Sequence, residues 1–389
     1  MDTSLQNLYR SFFHHNADRK LCYVRSPGRV NFLGAHTDYS GGLVLPAAID
    51  LSIDMLGQIR DDRKVVVHST SLNETVEFSV DRYARSAPHS WVDYVKGVVH
   101  ELMAGVGDIP GFQIAISSNL PVAAGLSSSA ALEVGIAVFI LQSIGKKMEP
   151  IEIARVCKNA ENNYVGMQCG IMDQMASTLG KKDAALFIDC GTMEYSYIPF
   201  ASGKAVILII DTGVRRSLLE SRFNEKRDLV IGALNTIRSY ESSVAKSSDI
   251  SMEMFLEYSS TLSADARPLM EHVVRENLRV AAGADALKKE DFSRFGSLMT
   301  ESYNSSKELF GVTISELDYI AEIAADLDGA FGVKLMGGGY GGAVAVLVEP
   351  DAAPECSETI SRAYKKKFGR EPSVYTCTPS DAVSVEIIG

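Results

Sequence analysis

Apolar residues recur along this chain in two rhythms, and the alternation of the two predicts strands and helices in mixed order. Ala47 to Gln58 and Lys64 to Ser69 have the β-rich character of strands. Trp91 to Met103 repeats its apolar positions at helical spacing and predicts a long helix. A strand at Phe112 to Ile116 leads into a loop of small residues, an unbroken helical run from Ala130 to Ile140, and a further helix over Pro150 to Tyr164. The second half opens on the continuous apolar strand Ala205 to Ile210. It continues through helices over Glu220 to Ser239 and Ser263 to Leu287, and returns to strands around Val344 and Val383. This order predicts an α+β fold, and 389 residues suggest two domains.

Three polar or small-residue segments interrupt the pattern. The first, Ser26 to Gly42, gathers Arg29, His36 and Asp38 on Gly/Pro-punctuated backbone, where polar side chains can converge on a small ligand. In the second, Leu120 to Glu133, consecutive Ser127, Ser128 and Ser129 stand where a helix begins. Free backbone N–H groups, hydroxyls and the positive end of the helix dipole could there face one phosphate. As plain structure, one of these serines would merely cap the helix. The third, Lys334 to Val348, has five glycines in the six positions 337–342 ahead of a strand. Gly337, Gly339 and Gly342 fit G-x-G-x-x-G, but a dinucleotide site needs a helix next and an acid about 20 residues on, and position 362 is Arg362. Nothing resembling the protein-kinase H-R-D or D-F-G follows, and no P-loop is present.

Together these segments resemble the signatures G-R-V-N-x-x-G-E-H-T-D-Y, P-x-x-x-G-L-S-S-S-A and G-G-G-F-G-G of the galactokinase branch of the GHMP small-molecule kinases. The resemblance runs on through Trp91 to Val99, Cys169 to Gln174, Asp189 to Gly191 and Ser315 to Asp318, so it covers essentially the whole chain. It implies a two-domain GHMP fold with the active site in the interdomain cleft. The N-terminal domain would span 1–165 with a C-terminal strand, about 377–389, packing back on it, and the second domain 166–376. It also implies Asp173 as catalytic carboxylate with Arg29 as its partner. A loose phosphoryl-transfer transition state deprotonates the nucleophile late, so orientation and charge neutralisation outweigh base strength. Ala35, His36, Asp38, Gly170, Asp173, Arg222 and Phe223 would bind the sugar. Pro121, Gly125, Leu126, Ser127, Ser128, Ser129, Ala130, Gly338 and Gly339 would bind ATP. Mg²⁺ would take oxygen ligands from Ser128, Ser129 and Glu161. Trp91 and Tyr94 could pack near the base or in the core.

Composition narrows the picture. The net charge of −11 argues against nucleic acid or an anionic membrane as partner; Lys365 to Lys367 is the one basic run. The start of the chain lacks a signal-peptide pattern and no apolar stretch reaches 18 uncharged residues, so a cytoplasmic enzyme acting as a monomer on sugar and ATP is expected. Six scattered cysteines show no C-x-x-C spacing and are expected to be reduced.

Two departures from the family pattern bear on the substrate. Ala35 stands where galactokinases carry the glutamate that faces the C6 hydroxyl, and Phe223 where they carry a tyrosine, with Arg222 just before it. A substrate carboxylate about 4 Å from a glutamate would be repelled by roughly 4 kcal/mol at an effective dielectric of about 20, about three decades in affinity. Ala35 is therefore the change a uronic acid would need, and galacturonate kinases also carry alanine there. Alternatively a galactose site could tolerate the loss through a bridging water, or the chain could be a sugar sensor without turnover, which the presence of both Arg29 and Asp173 disfavours. His36, Thr37 and Asp38 speak for a polyol acceptor over mevalonate or homoserine.

Overall fold

The computed structural model describes residues 3–13, 19–86, 90–121, 124–215 and 219–388, with the backbone alone for 3, 4 and 219–221. Twelve strands are seen among these: β1 (Leu21–Leu33), β2 (Leu43–Ile59), β3 (Lys64–Ser69), β4 (Glu74–Ser79), β5 (Phe112–Ser118), β6 (Ala184–Asp189), β7 (Tyr195–Pro199), β8 (Val206–Asp211), β9 (Ala330–Leu335), β10 (Ala343–Val348), β11 (Ser373–Cys377) and β12 (Ser384–Ile388). The first sheet runs β12-β1-β2-β5-β3-β4, with β6 joined to the start of β2 and β7 to β6. The second runs β11-β8-β10-β9 and is antiparallel throughout.

Side-chain alternation in the second sheet explains its continuous apolar strands. Ile207, Ile209, Ala343, Ala345 and Leu347 face a core shared with Phe32 and the first sheet, while Leu208, Ile210, Val344, Val346 and Val348 face the helices of the second half. Both faces are covered, which is why 206–210 and 343–348 run apolar without interruption. The helix Ser128–Ser143 is apolar on nearly every face for the same reason, being packed against β1, β2 and the helices Trp91–Val106, Pro150–Asn159 and Met172–Leu179; Glu133 is the buried exception.

The structure departs from the sequence pattern in three places. β6 pairs with β2, so the first sheet continues to Pro199, past the boundary at residue 165 that the family resemblance implies. The returning strand β12 pairs with β1 from Ser384 onward; Cys377 instead ends β11 in the second sheet. The helix from Pro150 is α-helical only to Asn159 and then widens into a π turn, Ala160–Val165, which carries Glu161. Such turns recur at functional sites because the extra residue re-aims the side chains that follow.

Candidate active site

Two backbone loops meet where the halves of the molecule join. A methyl group at Gly125 would lie 2.7 Å from the Met336 carbonyl, and one at Gly337 would lie 2.9 Å from the Gly125 Cα, so the serine loop and the glycine loop pack main chain on main chain. Between them opens a cavity of about 370 Å³. From the sequence-predicted residues it is lined by Arg29, Gly125, Leu126, Ser127, Ser128, Ser129, Glu161, Asp173, Phe223, Gly338 and Gly339. Each of the three motifs also holds one non-glycine residue in the left-handed region: His36 (φ 58°), Ser127 (φ 57°) and Tyr340 (φ 59°). Strain of this kind persists where surrounding packing over-determines the backbone, as it does around binding sites.

Arg29 and Asp173 form the centre. The guanidinium donates through Nε to Oδ1 at 2.7 Å and through Nη2 to Oδ2 at 2.9 Å, and its Nη1 donates to the Gly125 carbonyl at 2.6 Å. This two-pronged grip fixes the plane of a carboxylate sitting in the first turn of the helix Met172–Leu179. Ser127 also donates to Oδ2. Its hydroxyl is thus committed to the carboxylate, where the sequence assigned it to the nucleotide.

The helix that starts at Ser128 has no side-chain cap, so the plain capping account of the serine run fails. Ser128 and Ser129, in the first turn where helix N–H groups have no partner within the helix, line the cavity instead. Ala130 is buried and does not line the cavity. Pro121 does not line the cavity; Val122 and Ala123 lie outside the described residues.

Glu161 is buried under the serines. Its Oε2 accepts from Gln174 Nε2 at 2.8 Å and Cys169 Sγ at 3.3 Å, and the Ser129 hydroxyl bonds to the same carboxylate. Burial, then the neighbouring Asp173 charge, pushes its pKa up to about 7 against these hydrogen bonds. A second buried carboxylate, Glu133, accepts from the same Gln174 amide at 3.2 Å. Among the described residues no cluster of three or more His, Cys, Asp or Glu could hold a metal by itself. One carboxylate beside serine hydroxyls is the kind of sparse, all-oxygen set that suits a cation bound mainly through water and phosphate.

The other predicted sugar residues lie beside the cavity rather than in its wall. A methyl at Gly170 would overlap the Asp38 carboxylate, so glycine is what lets Asp38 come alongside Cys169 and Asp173. Burial, then the Asp173 charge, raises Asp38 to about 6. His36 stacks on Phe310 with centroids 4.2 Å apart and planes at 17°, and lies 5.6 Å from Phe223. Burial, then the charges of His272, Lys334 and Lys226, holds its pKa well below the ordinary value.

The loop under Ala35 is held from the second half of the chain. Glu276 Oε1 accepts from the N–H groups of Gly34 (3.0 Å) and Ala35 (3.1 Å), and His272 donates through Nε2 to the Ala35 carbonyl at 3.1 Å. Burial opposes a charge on Glu276, but Arg279, Lys334 and His272 hold its pKa far below the usual range.

Arg222 differs from expectation: it is exposed over the Tyr340 ring, 5.6 Å from its centroid, and does not line the cavity. Of the two places open to Trp91 and Tyr94, both take the core, with the Trp91 indole donating to Glu74 at 2.7 Å. Met167, Val214, Arg215 and Met336 line the cavity without having been legible; Arg215, paired with Asp211 at 2.6 Å, was the one with a charge to notice.

Models of the GHMP kinases N terminal domain, the galactokinase galactose-binding signature and the GHMP kinases C terminal region match residues 93–181, 7–58 and 284–366. A galactokinase of Chloroflexus aggregans is 36% identical over 382 residues, covering 98% of this chain and 97% of that protein. The chain belongs to the galactokinase family of GHMP kinases. A Pyrococcus furiosus galactokinase is 37% identical over 93% of this chain and 99% of its own length. The Lactococcus lactis galactokinase solved with galactose superposes with a TM-score of 0.93 at 29% identity, over 98% of this chain and 99% of that one. Methanococcus jannaschii mevalonate kinase, at 20% identity and a TM-score of 0.65, shares the fold alone. The protein is thus a galactokinase-type sugar kinase, a phosphotransferase whose family implies ATP as donor. No helix among the described residues is long and apolar enough to cross a membrane.

Proposed function

We propose that this kinase transfers the γ-phosphoryl group of ATP to the anomeric oxygen of a galactose-configured sugar, and that its preferred acceptor is D-galacturonate. The observation that carries the choice of sugar is Ala35. It stands at the family's C6-facing glutamate with its backbone N–H and carbonyl already committed to Glu276 and His272. Of the charges that act on the adjacent His36 ring, Lys334 is offset by Glu276, which leaves Lys226 as the cation that suits an anion. A second reading, D-galactose, is favoured by the galactose-binding signature at 7–58.

In the mechanism this supports, Asp38 and His36 hold the ring while Asp173 orients the C1 hydroxyl. The C1 oxygen bonds to phosphorus as the bond from phosphorus to the departing ADP oxygen breaks, and the hydroxyl proton passes late to Asp173. Arg29 keeps that carboxylate in plane and neutralises charge as it develops. Glu161, Ser128 and Ser129 would hold Mg²⁺, which when bound offsets triphosphate charge.

Replacing Ser128 and Ser129 together by alanine should raise the KM for Mg-ATP more than the KM for sugar. Equal rises in both would return these residues to a structural role. An ADP-release assay across galacturonate, galactose, N-acetylgalactosamine, arabinose and glucose tests the proposed acceptor. Galacturonate should give the highest kcat/KM, and turnover with none of them would reject the proposed activity.

A further inference from the structure

The helix Leu219–Tyr240 sets three side chains against the sugar-binding motif. Lys226 lies one turn beyond Arg222 and three residues beyond Phe223, so helical periodicity sends it out between the two. Phe223 turns into the cleft against Gly338 and His36, whereas Arg222 stays outside on Tyr340. Lys226 is half-buried, its Nζ 5.4 Å from the Phe310 centroid and donating to the Phe310 carbonyl. Phe310 is the ring on which His36 is stacked. The cation and the imidazole therefore both lie against one phenyl ring, and His36 directly follows the position where Ala35 has replaced an acid.

Two observations point to an anionic ligand. Arg222 and Lys226 are like charges four residues apart on a helix, a spacing that repels, and among the described residues neither makes an ion pair with a carboxylate. Buried polar atoms beside Phe223 also lack partners: His36 Nε2 and Tyr39 Oη, with Arg227 Nε near Tyr39. Buried polar atoms in a native fold are ordinarily hydrogen-bonded, and a cluster of exceptions beside a substrate motif is where a ligand's own polar groups belong. An ammonium needing an anion beside an unpartnered imidazole nitrogen matches a carboxylate.

We propose that Lys226, with His36 Nε2 as second donor, is the seat of the acceptor's C6 carboxylate and so the specificity-determining cation of this kinase. The inference rests on the galacturonate reading above and adds the residue responsible. Lys226→Met should lower kcat/KM for galacturonate by about 30- to 1000-fold, mainly through KM, because it deletes one partner of a partly desolvated charge pair. Galactose, with no charge at C6, should lose far less, and Lys226→Arg should retain most of the preference for galacturonate. Calorimetric titration with each sugar alone supplies a readout independent of turnover, and thermal melts of the three proteins separate lost binding from lost folding.

An equal loss for both sugars would make Lys226 a structural prop of the Phe310 carbonyl and overturn the assignment. So would a wild-type preference for galacturonate that survives intact in Lys226→Met, although the substrate reading would then stand. A wild-type enzyme that neither binds nor turns over galacturonate would remove the substrate reading itself, and with it the ligand proposed for Lys226.

Discussion

Asp173→Asn should reduce kcat by roughly 10²- to 10⁴-fold, the size expected for removing one general base, while sugar affinity falls much less. The asparagine keeps the shape of the side chain but cannot take the C1 proton. It also turns an amide toward the Arg29 fork and the Ser127 hydroxyl, all of which are donors. Asp38, His36 and Gly170 are untouched, so the ring should still be held. Single-turnover kinetics with calorimetry on the same protein separates the two effects. Binding that disappears together with turnover would show that Asp173 acts mainly by holding the sugar or the cleft, with no special part in the transfer.

Ala35→Glu should invert the choice of sugar. A carboxylate at position 35 would repel a C6 carboxylate by roughly 4 kcal/mol at about 4 Å and an effective dielectric of about 20, which is up to about three decades in kcat/KM for galacturonate. Galactose should hold or improve, because its C6 hydroxyl gains an acceptor. Lys226 strengthens the expectation, since a new glutamate near His36 would compete for the same cation. The ratio of kcat/KM values for the two sugars is the quantity to follow. Equal losses for both would mean that the longer side chain only disturbs the loop held by Glu276.

Much of the site was readable from small residues, because glycine and serine occur in runs where backbone must approach backbone or phosphate. Gly125 against Gly337, Gly170 against Asp38, and the uncapped helix start at Ser128 are the structural reasons for those runs. The pairing of Arg29 with Asp173 was legible through its motifs, but the third hydrogen bond to Asp173, from Ser127, was not, because a left-handed residue at that point re-aims the hydroxyl. Periodicity reads the helix after Pro150 as unbroken, since a π turn adds a residue without changing composition.

Contacts made by distant segments left the weakest trace. Glu276 grips the backbone of Gly34 and Ala35 from the far half of the chain, and looks in sequence like any helix glutamate. Lys226 reads as a solvated helix lysine until Phe310 and His36 are placed beside it; Arg222, chosen from sequence for the same task, faces Tyr340 instead. That β6 and β7 extend the first sheet was not readable either, because their pairing with β2 is announced by no local pattern.

The most direct test gives the wild-type protein ATP with equal concentrations of galacturonate and galactose and identifies the products by phosphorus–proton NMR. The account predicts galacturonate 1-phosphate as the main product, its phosphorus coupled to H-1. A predominance of galactose 1-phosphate, or phosphorus coupled to any other sugar proton, would contradict it.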